Sequence, residues 1–372
     1  MSFGERVKRN VVTRGLGVAL ALLVAAPATS AAGESYRITP SGYRVPVLGS
    51  FLAAGGSGLT CRRLDAKQIA ASDLGRLVRV RSFAAQSRAT VRAASSSAVS
   101  FVVIYADPAG TGFNDPVLGE KRRAAMTSAL SAWSRVLVAT VPITVEASFG
   151  SSGDEDLLAS AAPTDFVAQN GLLVALSLAS QRAGAPVNPR GADLSIEFGS
   201  EVDWDYVPDG VAPPGTFSFV YTAIHEIGHG LGFFDTFDAD TGKVSNGLPT
   251  PYDIHINRGT APGNLLVTRD ASRVEQDLVS NDLYFAGPNA VQASLASIRP
   301  LPMVRLYAPD PYEYGSSISH LDQGTYADVL TGLMVPQDFG PDYAYVDRLA
   351  LAIMADVGYV TNPAAIPAAP GQ

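Results

Sequence analysis

The hydrophobic and polar positions after residue 98 alternate between a strand-like and a helix-like period. Segment 99–105 is β-branched and aromatic, which predicts a strand, and segments 141–147 and 193–198 are predicted to form two further strands. Residues 119–138 place apolar side chains at three- and four-residue steps, and this spacing predicts an amphipathic helix. A second helix is predicted at 217–231. Strands and helices in this order predict a sheet covered by helices.

The last third of the chain follows a different pattern. Residues 236–315 are rich in turn residues but include a strand-like patch at 283–285, so we expect an insertion with structure of its own. Residues 347–357 are apolar at helical spacing and predict a closing helix. The Pro- and Ala-rich residues 361–372 are expected to form a flexible tail.

The N-terminal residues 1–32 follow the order of a secretory signal peptide. Basic side chains precede an apolar run at 16–26, and small residues follow it up to Ala32. The run is shorter than the roughly 20 residues that a membrane span requires, and Pro27 follows it. We therefore expect removal of this segment and a secreted product, either extracellular or periplasmic, without a membrane span.

Charge divides the remaining chain into two parts. Residues 33–97 carry ten basic and three acidic side chains, a net charge of +7, and end in the small-residue linker 93–97. Residues 98–372 carry 13 basic and 31 acidic side chains, a net charge of −18. The basic segment lacks the interleaved aromatic residues of a nucleic-acid-binding region, so we expect no nucleic-acid partner. It instead resembles a prosegment that pairs with the acidic domain of the same chain.

Composition limits what can stabilise the fold. Hydrophobic residues make up 47% of the chain and charged residues 17%, which allows a sizeable core and argues against extensive disorder. The single cysteine, Cys61, excludes a disulfide within the chain. Core packing and a bound metal remain as the expected sources of stability.

The chain has only four histidines, and two of them occur in an HExxH motif, His225-Glu226-Ile227-Gly228-His229. On a helix, positions four apart lie on one face, so His225 and His229 can bind one zinc ion. Glu226 is placed to act as general base toward a metal-bound water. Residues on the other face, such as Ile224 and Ile227, are expected to pack on the sheet. A structural helix whose histidines bind no metal is the plain alternative.

A catalytic zinc ion usually has three protein ligands, so a third must come from elsewhere. Asp235 is one candidate, because Gly232 permits a sharp turn after the helix and completes an HExxHxxGxxD pattern. His320 is the other candidate. We favour His320, since a neutral imidazole leaves zinc more electrophilic than a carboxylate does. His255 lacks the context of a ligand and is interpreted as a structural or surface residue.

The motif, with Gly232 after it and the segment Leu333-Met334-Val335-Pro336 downstream, resembles the metzincin zinc peptidases, most closely their leishmanolysin-like branch. That resemblance implies His225, His229 and His320 as ligands, Glu226 as catalytic residue and Met334 in a turn beneath the imidazoles.

It also implies an α+β, zincin-like fold across 98–360, in which a twisted mixed sheet packs on the active-site helix. A long insertion at 236–315 and a smaller C-terminal subdomain belong to this expectation. The chain lacks the dense cysteines of the leishmanolysin-like branch, and its insertion differs.

These features predict a secreted Zn²⁺-dependent endopeptidase that acts on protein or peptide substrates. The alternatives are a zinc hydrolase acting on other amides or esters, and a secreted zinc-binding structural or adhesion protein without hydrolytic activity. Cys61 in the basic segment suggests a thiolate latch on the zinc, with an inert cysteine as the plain alternative. A tyrosine such as Tyr345 is a candidate for assisting the oxyanion, although the sequence does not select it from the 14 tyrosines.

Overall fold

The computed structural model describes residues 98–151, 157–208, 210, 212–213, 215–297, 300–326, 332–337 and 344–367. Before residue 98 it describes the backbone of four strands, β1 (Tyr36–Ile38), β2 (Arg44–Pro46), β3 (Leu59–Arg62) and β4 (Ser87–Val91). These strands belong to the unit Glu34–Gln372, from which Met1–Gly33 separates as a unit of its own. The predicted signal peptide at 1–32 lies outside the described residues.

Strands and helices alternate through the rest of the chain. The strands are β5 (Phe101–Tyr105), β6 (Leu137–Val138), β7 (Ile143–Gly150), β8 (Leu157–Pro163), β9 (Phe166–Gln169), β10 (Leu172–Ala175), β11 (Leu194–Gly199), β12 (Trp204–Asp205), β13 (Phe217–Ser218), β14 (Ile256–Arg258), β15 (Leu283–Phe285), β16 (Val304–Arg305) and β17 (Val360–Thr361). The helices are α1 (Gly119–Val136), α2 (Leu176–Ala183), α3 (Phe219–Leu231), α4 (Ala271–Asp277), α5 (Pro288–Leu295), α6 (Gln323–Tyr326) and α7 (Arg348–Val357). No described helix has the length and apolar character needed to cross a membrane.

A mixed sheet forms the centre of the domain, with strands in the order β3-β8-β11-β7-β5-β4. Strands β5, β7 and β11 run parallel, whereas β8 is antiparallel to β11. Strands β3 and β4 extend the two edges by antiparallel pairing with β8 and β5. The three predicted strands are therefore confirmed as the parallel core of the sheet.

One face of this sheet is buried. Along β7, Ile143, Val145 and Ala147 are fully buried, while Thr144 and Glu146 between them keep partial exposure. Strand β11 repeats this alternation, as expected for a sheet with one packed face. The packed face contacts α1 and α3, which lie against each other. The indole Nε1 of Trp133 in α1 donates a hydrogen bond of 2.8 Å to the Ile224 carbonyl of α3.

Glycines allow α3 to approach its neighbours closely. A Cβ atom on Gly230 would lie 2.8 Å from Cδ1 of Leu194 in β11, and one on Gly228 would lie 3.0 Å from Sδ of Met334. Apart from Tyr221, every side chain of α3 is buried. A helix that is buried all round belongs to the interior of a large domain.

The insertion 236–315 has its own three-stranded sheet, in the order β14-β15-β16, together with α4 and α5. Buried residues such as Tyr252 and Phe285 join the same hydrophobic cluster as the central sheet. This region therefore has strands and helices, and its buried residues are continuous with the core of the central sheet.

Helix α7 closes the domain near the position expected. Its N-cap is Asp347, whose Oδ1 accepts a hydrogen bond of 2.8 Å from the Ala350 amide. The chain then continues into β17, which pairs with β6. Thr361, where the sequence predicts a flexible tail to begin, is the last residue of β17.

Candidate metal centre

Helix α3 brings two of the motif histidines to one side of the domain. It begins after Ser218, whose Oγ accepts a hydrogen bond of 3.1 Å from the Tyr221 amide. It ends at Gly232, where φ is +122° and the chain turns away. His225 and His229 lie one helical turn apart and are fully buried, as is Glu226.

The third histidine comes from a loop at 315–321, which lies between the insertion and α6. His320 is fully buried. Ile318, two residues before it, has φ +68°, a conformation that strains a β-branched residue by about 1–3 kcal/mol. Strain of this kind persists only where the surrounding structure imposes it.

The Nε2 atoms of the three imidazoles converge. His225 and His229 are 2.9 Å apart at Nε2, His229 and His320 are 3.1 Å apart, and His225 and His320 are 3.2 Å apart. Three nitrogens bound tetrahedrally to one zinc ion at 2.0–2.1 Å would be separated by about 3.3 Å. The observed spacing is therefore close to that of a metal site.

The other ring nitrogens determine the tautomer of each imidazole. Every Nδ1 faces a backbone carbonyl oxygen, which can only accept a hydrogen bond, so each Nδ1 carries the proton and donates it. Each neutral ring then presents a bare lone pair at Nε2. The three bonds are His225 Nδ1 to the Leu333 carbonyl at 2.6 Å, His229 Nδ1 to the Phe233 carbonyl at 2.7 Å and His320 Nδ1 to the Ser316 carbonyl at 2.7 Å.

Three lone pairs directed at one point repel each other unless a cation lies between them. The donor set therefore fits a divalent metal ion, and the Nδ1–carbonyl bonds are the outer contacts that histidine ligands normally make. Among the described residues, these histidines form the only group of three or more potential ligands with its atoms within 4.8 Å of one another.

Burial also keeps these rings in the form that binds metal. It lowers the pKa of His225 to about 4. Burial, together with the other histidines, lowers the pKa values of His229 and His320 well below 6.5. Since a metal competes with protons for the same lone pairs, neutral rings are available over a wide pH range.

Asp235, the alternative third ligand, lies outside the histidine group. The turn at Gly232 does occur, but it brings the carboxylate to Ser319, whose Oγ donates a hydrogen bond of 2.7 Å to Asp235 Oδ2. Burial and the nearby charge of Asp253 raise the pKa of Asp235 to about 8, which opposes the deprotonation that a ligand needs. The structure therefore brings His320, and not Asp235, to His225 and His229.

A turn at 332–336 lies against α3 next to His225. Met334 is fully buried and packs against Gly228, between the two histidines of α3. The Leu333 amide donates a hydrogen bond of 3.0 Å to Asp347 Oδ2, which ties the turn to the start of α7. Sequence patterns did not indicate the role of Asp347, although its position before a predicted helix is typical of an N-cap.

The other candidate residues lie outside the centre or outside the described side chains. His255 is half-buried and its ring packs against Phe285, with centroids 5.3 Å apart. Cys61 lies in β3, opposite Ala159 of β8, and only its backbone is described. The thiolate latch and the role suggested for Tyr345 therefore stay predictions.

Comparison with known proteins adds no family assignment. No protein-family model matches the chain, and searches of the curated proteins and of the solved structures find no match. The function of the protein must therefore be inferred from the candidate metal centre.

Proposed function

We propose that this protein is a secreted zinc-dependent endopeptidase. The observation that carries this proposal is the convergence of three imidazole lone pairs, 2.9–3.2 Å apart, beside a buried glutamate on the same helix. An all-imidazole ligand set suits zinc, and its buried position favours a preformed site.

The number of ligands supports catalysis over a purely structural role. Structural zinc sites usually have four protein ligands, whereas catalytic sites have three and one open position. In the part of the chain that the structure describes, no further histidine, cysteine or carboxylate joins the three histidines. A zinc ion bound there would supply Lewis acidity and lower the pKa of a water molecule from about 15.7 toward about 7.

Glu226 is the residue that we assign to proton transfer. It follows His225 directly on α3 and is fully buried. In the proposed reaction its carboxylate takes a proton from the attacking water and passes it to the leaving amine of the peptide. A rigid helix suits this role, because it keeps the base at a constant distance from the ligands.

The resemblance to metzincins supports the choice of peptides as substrates. In this chain, His225, Glu226, His229, His320 and Met334 match that pattern. A mixed sheet packed on the helix is compatible with a zincin-like domain, and the contact of Met334 with Gly228 is compatible with a methionine turn beneath the ligands.

Secretion and a prosegment complete the proposal. The signal-like residues 1–32 would direct the chain out of the cytoplasm, and the basic segment 33–97 would act as a prosegment. Part of that segment, β3, pairs with β8 at the edge of the central sheet. N-terminal sequencing of the exported protein, with cleavage near Ala32 as the expected result, tests the first of these steps.

A metal-dependent hydrolysis assay tests the main proposal. We expect the purified mature protein to contain zinc, to cleave casein, to lose this activity with a chelator and to regain it when zinc is added back. Zinc binding without cleavage of casein or of a mixed peptide library would contradict the proposal and favour a structural zinc protein. Cleavage that continues in the metal-free protein would also contradict it.

A further inference from the structure

The loop that carries His320 is held from several directions. The Ile318 amide donates to the Tyr307 carbonyl at 2.7 Å, and the Tyr252 hydroxyl donates to the Ile318 carbonyl at 3.0 Å. The Tyr307 amide in turn donates to the His320 carbonyl at 2.9 Å. All of these partners belong to the insertion, so they tie the loop to the insertion and not to α3.

Asp235 provides a different connection, because it belongs to the segment that leaves α3. Its backbone amide donates a hydrogen bond of 3.1 Å to Ser319 Oγ, and its Oδ2 accepts one of 2.7 Å from the same hydroxyl. Its Oδ1 accepts a third bond, of 3.0 Å, from the Phe237 amide, which fixes the orientation of the carboxyl group. Ser319 is almost fully buried and directly precedes His320.

The segment from the end of α3 to Asp235 is hydrogen-bonded near both of its ends to proposed metal ligands or their neighbours. His229 donates through Nδ1 to the carbonyl of Phe233, only two residues before Asp235. The short segment after α3 is therefore bonded to a ligand at one end and to the neighbour of a ligand at the other. This segment therefore links the helix histidines to the loop histidine.

We infer that Asp235 is a positioning residue for the metal centre, which holds His320 at the place required by His225 and His229 through its paired hydrogen bonds with Ser319. This inference rests on the proposed zinc site. It assigns to Asp235 an outer contact in place of the ligand role that its position after the HExxH motif suggests.

Zinc affinity of the purified protein, measured by competition with a chelator of known affinity, tests this role. We expect Asp235→Ala and Ser319→Ala each to weaken zinc binding about 10–100-fold, the range typical of outer contacts to ligands. The double variant should bind zinc about as weakly as Ser319→Ala alone, because that substitution already removes both hydrogen bonds between the two residues.

A conservative variant separates positioning from direct coordination. Asp235→Asn keeps an oxygen that accepts from Phe237 and gains an amide that donates to Ser319 Oγ, so zinc affinity should return to within a few-fold of the wild type. If Asp235 were a ligand, the asparagine variant would lose affinity as severely as the alanine variant, and Ser319→Ala would bind zinc normally. Either result overturns the inference.

Ser294→Ala is the matched control. Ser294 is also fully buried, and its Oγ donates a 3.0 Å hydrogen bond to the Leu301 carbonyl in the insertion. We expect it to lower the thermal midpoint of the metal-free protein without changing zinc affinity. If this control and Ser319→Ala lost zinc affinity equally, general destabilisation would explain the loss in Ser319→Ala. That result would overturn the inference.

The result for the positioning role can be distinguished from the result for the proposed function. Normal zinc affinity in both Asp235→Ala and Ser319→Ala overturns the positioning role alone, whether or not the protein cleaves peptides. If these variants bind zinc weakly and the wild-type protein cleaves no peptide, the positioning role is supported and the peptidase proposal is contradicted. A wild-type protein that binds no zinc overturns both.

Discussion

Helix α3 and the loop at 315–321 bring their histidines to the same candidate centre, but they are stabilised in different ways. In α3 the backbone bonds are local, and the spacing of His225 and His229 follows from the helical repeat. In the loop, Ile318 has a positive φ, and its backbone bonds reach Tyr307 and Tyr252 in the insertion. The helix thus places its histidines by its own geometry, whereas the position of His320 in the loop depends on the rest of the fold.

This difference is consistent with the separate roles that we propose for the helix and the loop. The helix holds Glu226, whose proposed role requires a constant distance to the ligands. The loop holds His320, the proposed third ligand, and its position depends on hydrogen bonds to the insertion. Substitutions in α3 should therefore affect chemistry and packing, whereas those around the loop should affect mainly metal binding.

The largest effect is expected from removing a ligand. His229→Ala, in the helix, and His320→Ala, in the loop, should each reduce the zinc content from about one ion per chain to near zero and abolish hydrolysis. His255→Ala serves as the control, since this histidine lies outside the centre, and should retain zinc and activity. Elemental analysis of the purified variants measures the result. Full zinc content in His320→Ala would show that the loop supplies no ligand.

A smaller effect, confined to chemistry, is expected from Glu226→Gln. The amide cannot act as a base, so turnover should fall by about 10²–10⁴. The zinc content should stay at the wild-type level, because Glu226 is not part of the ligand group. Turnover and metal analysis on the same preparation check both statements. Unchanged turnover in a zinc-loaded variant would refute the role of general base.

The packing of α3 gives a third prediction, on stability. Gly230→Ala would force its Cβ to within 2.9 Å of Cβ of Leu194, an atom close to the backbone of β11. We expect its free energy of unfolding to fall by about 1–2 kcal/mol, because strain outweighs the gain in helix propensity. Denaturant unfolding of the metal-free protein provides the measurement.

Gly228→Ala is the matched comparison, because its new Cβ would meet Sδ of Met334 at 3.0 Å. A thioether near the end of a flexible side chain can move, so we expect a change within about 0.5 kcal/mol. Equal losses in the two variants would contradict this account of how the helix packs.

A final prediction concerns pH. The pKa values of the three histidines lie below 6.5 in the folded protein, so unfolding takes up protons as the pH falls below that value. The metal-free protein should therefore lose stability as the pH falls from about 6.5 toward about 4, the pKa of His225 in the folded protein. His320→Gln should make this dependence shallower by up to about 1.4 kcal/mol per pH unit. Parallel curves for the variant and the wild type would contradict the assignment of a neutral buried ring.

Several elements could be predicted because their patterns are local. Strand β5 consists of β-branched and aromatic residues, and β7 and β11 have apolar residues at alternate positions. Helices α1, α3 and α7 show apolar residues at helical spacing. Strand β8 was not predicted from its sequence, Leu-Leu-Ala-Ser-Ala-Ala-Pro. Its small residues have weak strand propensity, and it becomes a strand because β3 and β11 lie on either side of it.

The sequence alone determined the pair of helix histidines and their neighbour Glu226, because helical geometry relates positions one turn apart without reference to the rest of the fold. It left His320 and Asp235 as competing candidates for the third ligand. Only the tertiary structure separates their positions, since which of the two lies beside His225 and His229 depends on where a loop 91 residues from His229 comes to lie. Long-range hydrogen bonds and packing, which no local pattern encodes, bring His320 to the centre and Asp235 to Ser319.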